Sequence, residues 1–406
     1  MSIPAETPLI RRRLPLAEFT AMIAMLFATI AFSIDAMLPA LPQIASELTP
    51  DAVNHAQLIL TAFVLGMGIG TAFAGPISDA TGRKPAIIGG FAIYIGGAVL
   101  AHYAPTIELL LAARVIQGLG AAGPRIVGLA LVRDLYEGRE MARVTSFAMT
   151  IFMIVPAVAP SIGALIIGLA GWRAVFLAFI LFGLIAVSWV GTRQPETLPP
   201  DHRRRLSGHN ILLAAREVLS NRDVRIYTVV MTLGFGQMFA LLSTAQQLFD
   251  VTYGQGDNFP KWFALMAGIA ATASVLNAKL VMHVGMRRLA TDAYLWQAIS
   301  SAVVLALVLG GVGTGNLGFA VFFIWGSSVF FMAGLTFGNL NALALQRMGH
   351  IAGMAASVIS AISTIFAVVI AGPVGQTFDG TAVPVITGVV ICSGLAWLLM
   401  RRTLPH

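Results

Sequence analysis

Charge is what this sequence has least of. Of its 406 residues only 11% are Asp, Glu, Lys or Arg, while 57% are hydrophobic. A soluble globular domain carries about 25% charged residues. So few charges cannot cover a water-facing surface, whereas apolar side chains turned toward lipid need none. Cysteine is almost missing too. The single Cys392 lies inside an apolar run, which excludes an intramolecular disulfide and any cysteine-based metal site and leaves it as a small core hydrophobe. The chain has no Gly-x-x-x-x-Gly-Lys-Ser/Thr loop, no His-Glu-x-x-His pair and no Gly-x-Ser-x-Gly elbow. His55 and His102 make no ligand spacing. Neither an enzyme nor ATP drive within the chain is expected, and neither a cofactor nor a metal.

What is present is a series of long apolar runs. A membrane-crossing helix needs about 20 mostly apolar residues. Such runs fall at about 16–38, 54–77, 86–103, 108–131, 144–168, 174–192, 225–250, 260–282, 289–311, 318–346, 351–373 and 382–400. They are continuous, unlike the ten-residue alternations of a membrane β-barrel. The expected fold is therefore all-α and integral to the membrane, with twelve transmembrane helices. Forty-one glycines and 19 prolines suit that setting, because membrane helices pack on small residues.

The basic residues confirm the count. Arg11, Arg12 and Arg13, then Arg83 and Lys84, then Arg133, Arg139 and Arg143, fall on one side of a twelve-span chain. So do Arg193, Arg203, Arg204, Arg205, Arg216, Arg222 and Arg225 in the centre, Arg287 and Arg288, Arg347, and Arg401 with Arg402. The opposite loops hold Arg173 and Lys261. The positive-inside rule puts both termini in the cytoplasm. Because these charges alternate with apolar runs, the formal net charge of +7 is a topology signal and not a nucleic-acid surface. The first run is longer than the apolar core of a signal peptide and has no cleavage site after it, so it reads as an uncleaved helix.

The longest polar stretch, 193–224, divides the chain six spans from six: a first half at 1–192, a linker, and a second half at 225–406. Within the linker, Ile211, Leu212, Ala215, Val218 and Leu219 fall at helical spacing, which predicts an amphipathic helix on the cytoplasmic surface. The stretches Asp79-Ala-Thr-Gly82-Arg83-Lys84 and His283-Val-Gly285-Met-Arg287-Arg288 echo each other about half a chain apart.

Several motifs carry a resemblance. Gly75-Pro-Ile-Ser-Asp79-Ala-Thr-Gly82-Arg83-Lys84 resembles the signature loop of the major facilitator superfamily. Arg114-Val-Ile-Gln117-Gly118 resembles the Arg-x-x-Gln-Gly pattern of its proton-driven members. Pro160-Ser-Ile-Gly163 is similar to the antiporter Pro-x-x-Gly motif, with Ala159 where glycine is usual. Gly171-Trp172-Arg173 also fits. Ser33-Ile-Asp35-Ala-Met-Leu-Pro39-Ala-Leu-Pro42 resembles a stretch of the bicyclomycin/chloramphenicol-resistance drug:proton antiporters, as do Val132-Arg133-Asp134, Leu276-Asn277-Ala-Lys-Leu and Gly353-Met-Ala-Ala-Ser357. The departures are Ala36 and Met37, where that family has an aromatic, and Ser243-Thr-Ala-Gln246-Gln247, which lacks its proline. The resemblance covers about 16–400. It implies two six-helix halves related by an axis along the membrane normal.

Charges inside a span are costly and mark function. Asp35 is the one carboxylate set well within a span of the first half. A low-dielectric setting disfavours the charged carboxylate, which suits a proton carrier, although a place near the outer end would also let Asp35 merely cap or solvate. Arg114 is its expected partner in proton coupling. Arg125 follows Arg114 by eleven residues, close to three turns, so both should face the same way. Arg125 lies outside the family pattern and offers a fixed positive charge to an anionic substrate, or else snorkels or pairs with a neighbouring helix.

Gln117, Gln237, Asn277, Asn339 and Asn341 are candidates for the substrate cavity, with Phe235, Met149 and Met153, and beside them Met238, Phe239 and Trp325; each is equally able to bond or pack between helices. The resemblance makes Gly75, Asp79, Gly82, Arg83 and Lys84 a cytoplasmic gate that latches when the halves close. It makes Pro160 and Gly163 a helix bend at the interface between halves. The expected function is a proton-coupled exporter of small amphipathic drugs in a bacterial inner membrane, acting as a monomer with protons and a small molecule as partners. The alternatives are a dedicated carrier of one metabolite or siderophore-like anion, in either direction, and a non-transporting membrane sensor.

Overall fold

The computed structural model describes residues 14–203 and 206–403. Arg11, Arg12, Arg13, Arg204 and Arg205 lie outside the described residues. Fourteen α-helices follow one another among these residues: α1 (Leu16–Asp35), α2 (Leu41–Leu48), α3 (Leu58–Thr81), α4 (Arg83–His102), α5 (Ile107–Leu135), α6 (Gly138–Ala170), α7 (Arg173–Arg193), α8 (Gly208–Ser220), α9 (Arg222–Gln247), α10 (Phe259–Val284), α11 (Met286–Leu307), α12 (Gly315–Gln346), α13 (Ala352–Gln376) and α14 (Val383–Met400). Twelve of the resulting segments are long and apolar enough to cross a membrane, and they coincide with the twelve runs expected from sequence.

The first span differs in one respect. It does not stop near residue 38 but runs from Leu16 to Leu48. After Asp35 the chain passes through a tight turn at Leu38–Ala40 and resumes as α2. Pro39 and Pro42 remove backbone donors, which breaks the α-helix without ending the span.

The spans alternate in direction. Both described chain ends, at Leu14 and Thr403, lie on one side, called here the terminal face. It carries Arg83, Lys84, Arg139, Arg143, Arg287, Arg288, Arg401 and Arg402, whereas Arg173 and Lys261 lie on the far face. The hairpin between α3 and α4 turns at Gly82, and its counterpart between α10 and α11 turns at Gly285, with φ of 109° and 82°. A side chain rarely adopts such a φ, so the sequence echo is a shared turn geometry.

Two six-helix bundles are joined by α8. In the first bundle, α5 is squeezed between α3 and α4. A Cβ on Gly66 or Gly118 would strike the carbonyl of Val115 or Phe63, and one on Gly120 would strike the backbone of Tyr94. Between the bundles α3 runs along α13, with Gly68 against Thr364 and Ile365 and Gly75 against Ser357; α6 packs on α10. The helix expected in the linker forms as α8, but its stripe divides. Val218 is buried against the second bundle, as is Ala214 outside the expected stripe, and Ile211 and Ala215 are half-buried, while Leu212 and Leu219 are exposed at 68% and 42%. Helix α8 is further held by Glu217, 2.6 Å from His350.

Candidate functional site

The site begins where α1 ends. The last four carbonyls of a helix have no partner within it, and α1 stops at Asp35 because of the turn that follows. The glycines of α5 bring Arg114 close enough to supply one. Arg114 is fully buried. Its Nη2 donates to the Ser33 carbonyl at 3.0 Å, its Nη1 to Gln117 Oε1 at 2.6 Å, and its Nε to the Ile59 carbonyl at 3.4 Å. Its guanidinium carbon lies 4.4 Å from the centroid of Phe63. The positive charge thus caps the negative end of the α1 dipole and stacks on a ring. Ser33 is tied in addition to Tyr94, their hydroxyls 2.7 Å apart.

Asp35 stands two residues beyond that carbonyl. It is 5% exposed, and no described residue forms a hydrogen bond or ion pair with its carboxylate. Asp35 and Arg114 therefore share the end of α1 without pairing. A buried charge left uncompensated is expensive, and binding a proton removes that expense. The Pro160–Gly163 motif closes over the same place. Helix α6 stays helical through Pro156 and Pro160, and Gly163 rests on the carbonyl of Ala36, the residue after Asp35. That close approach lies within the first bundle and not between the two.

The other expected cavity residues are scattered. Gln117 is fully buried, its Oε1 taken by Arg114 and its Nε2 left without an acceptor. Gln237 accepts from Ser393 at 2.6 Å inside the second bundle. Asn339 donates to Asn277 at 2.7 Å, across α12 and α10. Asn341 Oδ1 is buried with no donor. Phe235 packs against Phe239 and Phe337. Trp325 is buried and donates to Ser301. Met149 and Met153 sit one turn apart on α6, Met149 exposed. Arg125 is exposed although it lies deep in the molecule, and no described residue bonds to it.

On the terminal face, Arg83 is clasped by two carboxylates, Asp79 at 2.5 Å and Asp134 at 2.9 Å. Both belong to its own bundle, so this pairing does not bridge the halves. Glu196 of the linker accepts the backbone N–H groups of Arg83 and Lys84 at 2.9 and 3.1 Å. A carboxylate at a helix N-terminus satisfies its free donors and its dipole. Thr197 adds a bond to Asp134 at 2.8 Å.

The far face holds contacts that sequence reasoning missed. Asn54 donates to the Gln376 and Phe378 carbonyls at 3.2 and 2.8 Å, and Gln376 returns a bond to the Asn54 carbonyl at 2.7 Å. Gln57 donates to Gln247. These four amides join the first bundle to α9 and α13 of the second. The sequence signal available was Gln247 itself, where the resemblance breaks. Side-chain amides thus fasten the two bundles together on the far face.

The family model described as Major Facilitator Superfamily matches residues 21–401. A Bacillus subtilis (strain 168) protein described as an uncharacterized MFS-type transporter, YdgK, is 28% identical over 93% of this chain and 92% of its own. A bicyclomycin resistance protein homolog of Haemophilus influenzae is 29% identical over 89% of each chain. Among solved structures, the xylose transporter XylE from E. coli, in a partially occluded inward open conformation, superposes with a TM-score of 0.75 at 14% identity, over 96% of this chain and 98% of that one.

Proposed function

This chain belongs to the major facilitator superfamily and is a multi-pass membrane transporter, not an enzyme, and we propose that it exports small amphipathic drugs or toxic compounds in exchange for protons. Alternating access moves the compound through a cavity between the bundles, near the midplane. The basic terminal face is the cytoplasmic one, in a bacterial inner membrane. The proton gradient supplies the energy, and a monomer suffices.

One observation carries the coupling: Asp35 is buried without a partner at the end of α1, inside the first span. In this scheme a proton arriving from outside neutralises Asp35, and substrate arriving from inside displaces it. Arg114 holds the end of α1 on which Asp35 sits, so a change at either residue reaches the same helix terminus. Support for drugs as cargo comes from the relative described as a bicyclomycin resistance protein homolog. A dedicated carrier of one metabolite or siderophore-like anion is the second reading, favoured by the open guanidinium of Arg125.

The test uses inverted membrane vesicles loaded acid inside, with a pH-sensitive dye and a panel of drugs. Several compounds should discharge the gradient through the wild type and none through Asp35→Asn. If Asp35→Asn vesicles discharge as fast as wild type, Asp35 is not the proton carrier. If no compound acts while folded protein is present, the drug-export reading fails.

A further inference from the structure

Arg125 has no task in the coupling scheme, and its position is unusual. It lies ten residues before Leu135, the last residue of α5, or about 15 Å at roughly 1.5 Å per residue. Snorkelling cannot carry a guanidinium that far to the membrane surface. Its direction follows from Arg114. Eleven residues bring the helix almost back to the same azimuth, whereas Ile116, nine residues before Arg125, points to the opposite side. Arg114 faces α1 and α3, so Arg125 faces the interior too. There it is exposed, as is Leu129 one turn further on, at 39%.

The sequence also offers Arg125 no internal partner. Apart from Asp35, every described Asp and Glu lies in a loop, on α8, or in the two turns nearest an end of a span. Asp35 sits at the end of α1 and makes no ion pair with Arg125. Arg114 is otherwise engaged, its nitrogens spent on Ser33, Ile59 and Gln117. A guanidinium set that deep in a span with no protein partner is rare and marks function, and an anionic group can take the place of solvent on it.

We infer that Arg125 docks the acidic group of the transported compound: a carboxylate, sulfonate or phosphate on an amphipathic body. The inference rests on the carrier reading and narrows its substrate class. A planar guanidinium gives such a group two parallel donors, and here no neighbour consumes them. A compound with a free acid end is selected over a purely cationic one.

The charge can be read without knowing the substrate. Cys392 is the chain's one cysteine and is buried, so Cys392→Ala gives a clean background in which Leu129→Cys sets a thiol beside Arg125. In nanodiscs, the rates of modification by anionic sulfonatoethyl and cationic trimethylammonioethyl methanethiosulfonate are compared. Both reagents should react. Arg125→Gln should lower the anionic-to-cationic rate ratio about tenfold, the effect of one unit charge a few ångströms away in water, and Arg125→Lys should restore it. Carboxyfluorescein should slow modification when Arg125 is present and not in Arg125→Gln. An unchanged ratio, a thiol that neither reagent reaches, no protection by carboxyfluorescein, or protection that survives Arg125→Gln each overturns the proposal. The proton-gradient assay reports on drug export through a different signal, so the two readings fail separately.

Discussion

Gly118 illustrates how a residue with no side chain positions one with a large charge. The Phe63 carbonyl occupies the space a Cβ would take, and that closeness lets Arg114, one turn earlier, reach Ile59 and Ser33. Gly118→Val should cost about 1–3 kcal/mol through overpacking, read as a lowered midpoint of thermal unfolding in detergent, and should abolish transport in whatever protein still folds. A variant as stable as wild type would show that α3 and α5 can part without harm. Asp35, Arg114 and Arg125 stand out in the sequence because charges inside apolar runs are rare, and the common azimuth of the two arginines follows from counting. That Arg114 grips carbonyls and not Asp35 is invisible there. It depends on where α1 ends, and hence on a turn that the prolines only suggest.

Among elements, the turn Val53–Gln57 before α3 is joined to α9 and to the end of α13 on the far face. Asn54, Gln57, Gln247 and Gln376 hold it through hydrogen bonds worth about 0.5–1.5 kcal/mol each. The double variant Asn54→Ala with Gln247→Ala should shift the balance at least about tenfold toward a far-face-open state, since 1.4 kcal/mol is a factor of ten. Distances between spin labels on the far ends of α3 and α13 would report it, and an unchanged distribution would mean the bonds do not set the balance. None of this was legible beforehand, because partners 190 to 324 residues apart leave no local pattern. The twelve helices were legible, since a span is declared by its own composition. So was α8, although the division of its apolar stripe between protein and surroundings was not: periodicity gives a face and says nothing of what covers it.

For the molecule as a whole, the crowding of arginine on the terminal face sets an orientation. In the Cys392→Ala background, a membrane-impermeant maleimide should label Lys261→Cys in intact cells and Arg401→Cys only after the membrane is broken. The reverse pattern would invert the proposed topology. The amide fastening of the far face has a consequence at this scale. Asn and Gln carry no charge to titrate and none to move in an electric field. Membrane voltage, external acidity and ionic strength therefore have no direct hold on those four amides; any hold they have on the far face runs through the neighbouring carboxylates Asp250 and Asp379. Under the proposed proton exchange, acid or brackish surroundings would leave these amide bonds themselves unchanged while the drive acting against them rises and falls with the gradient.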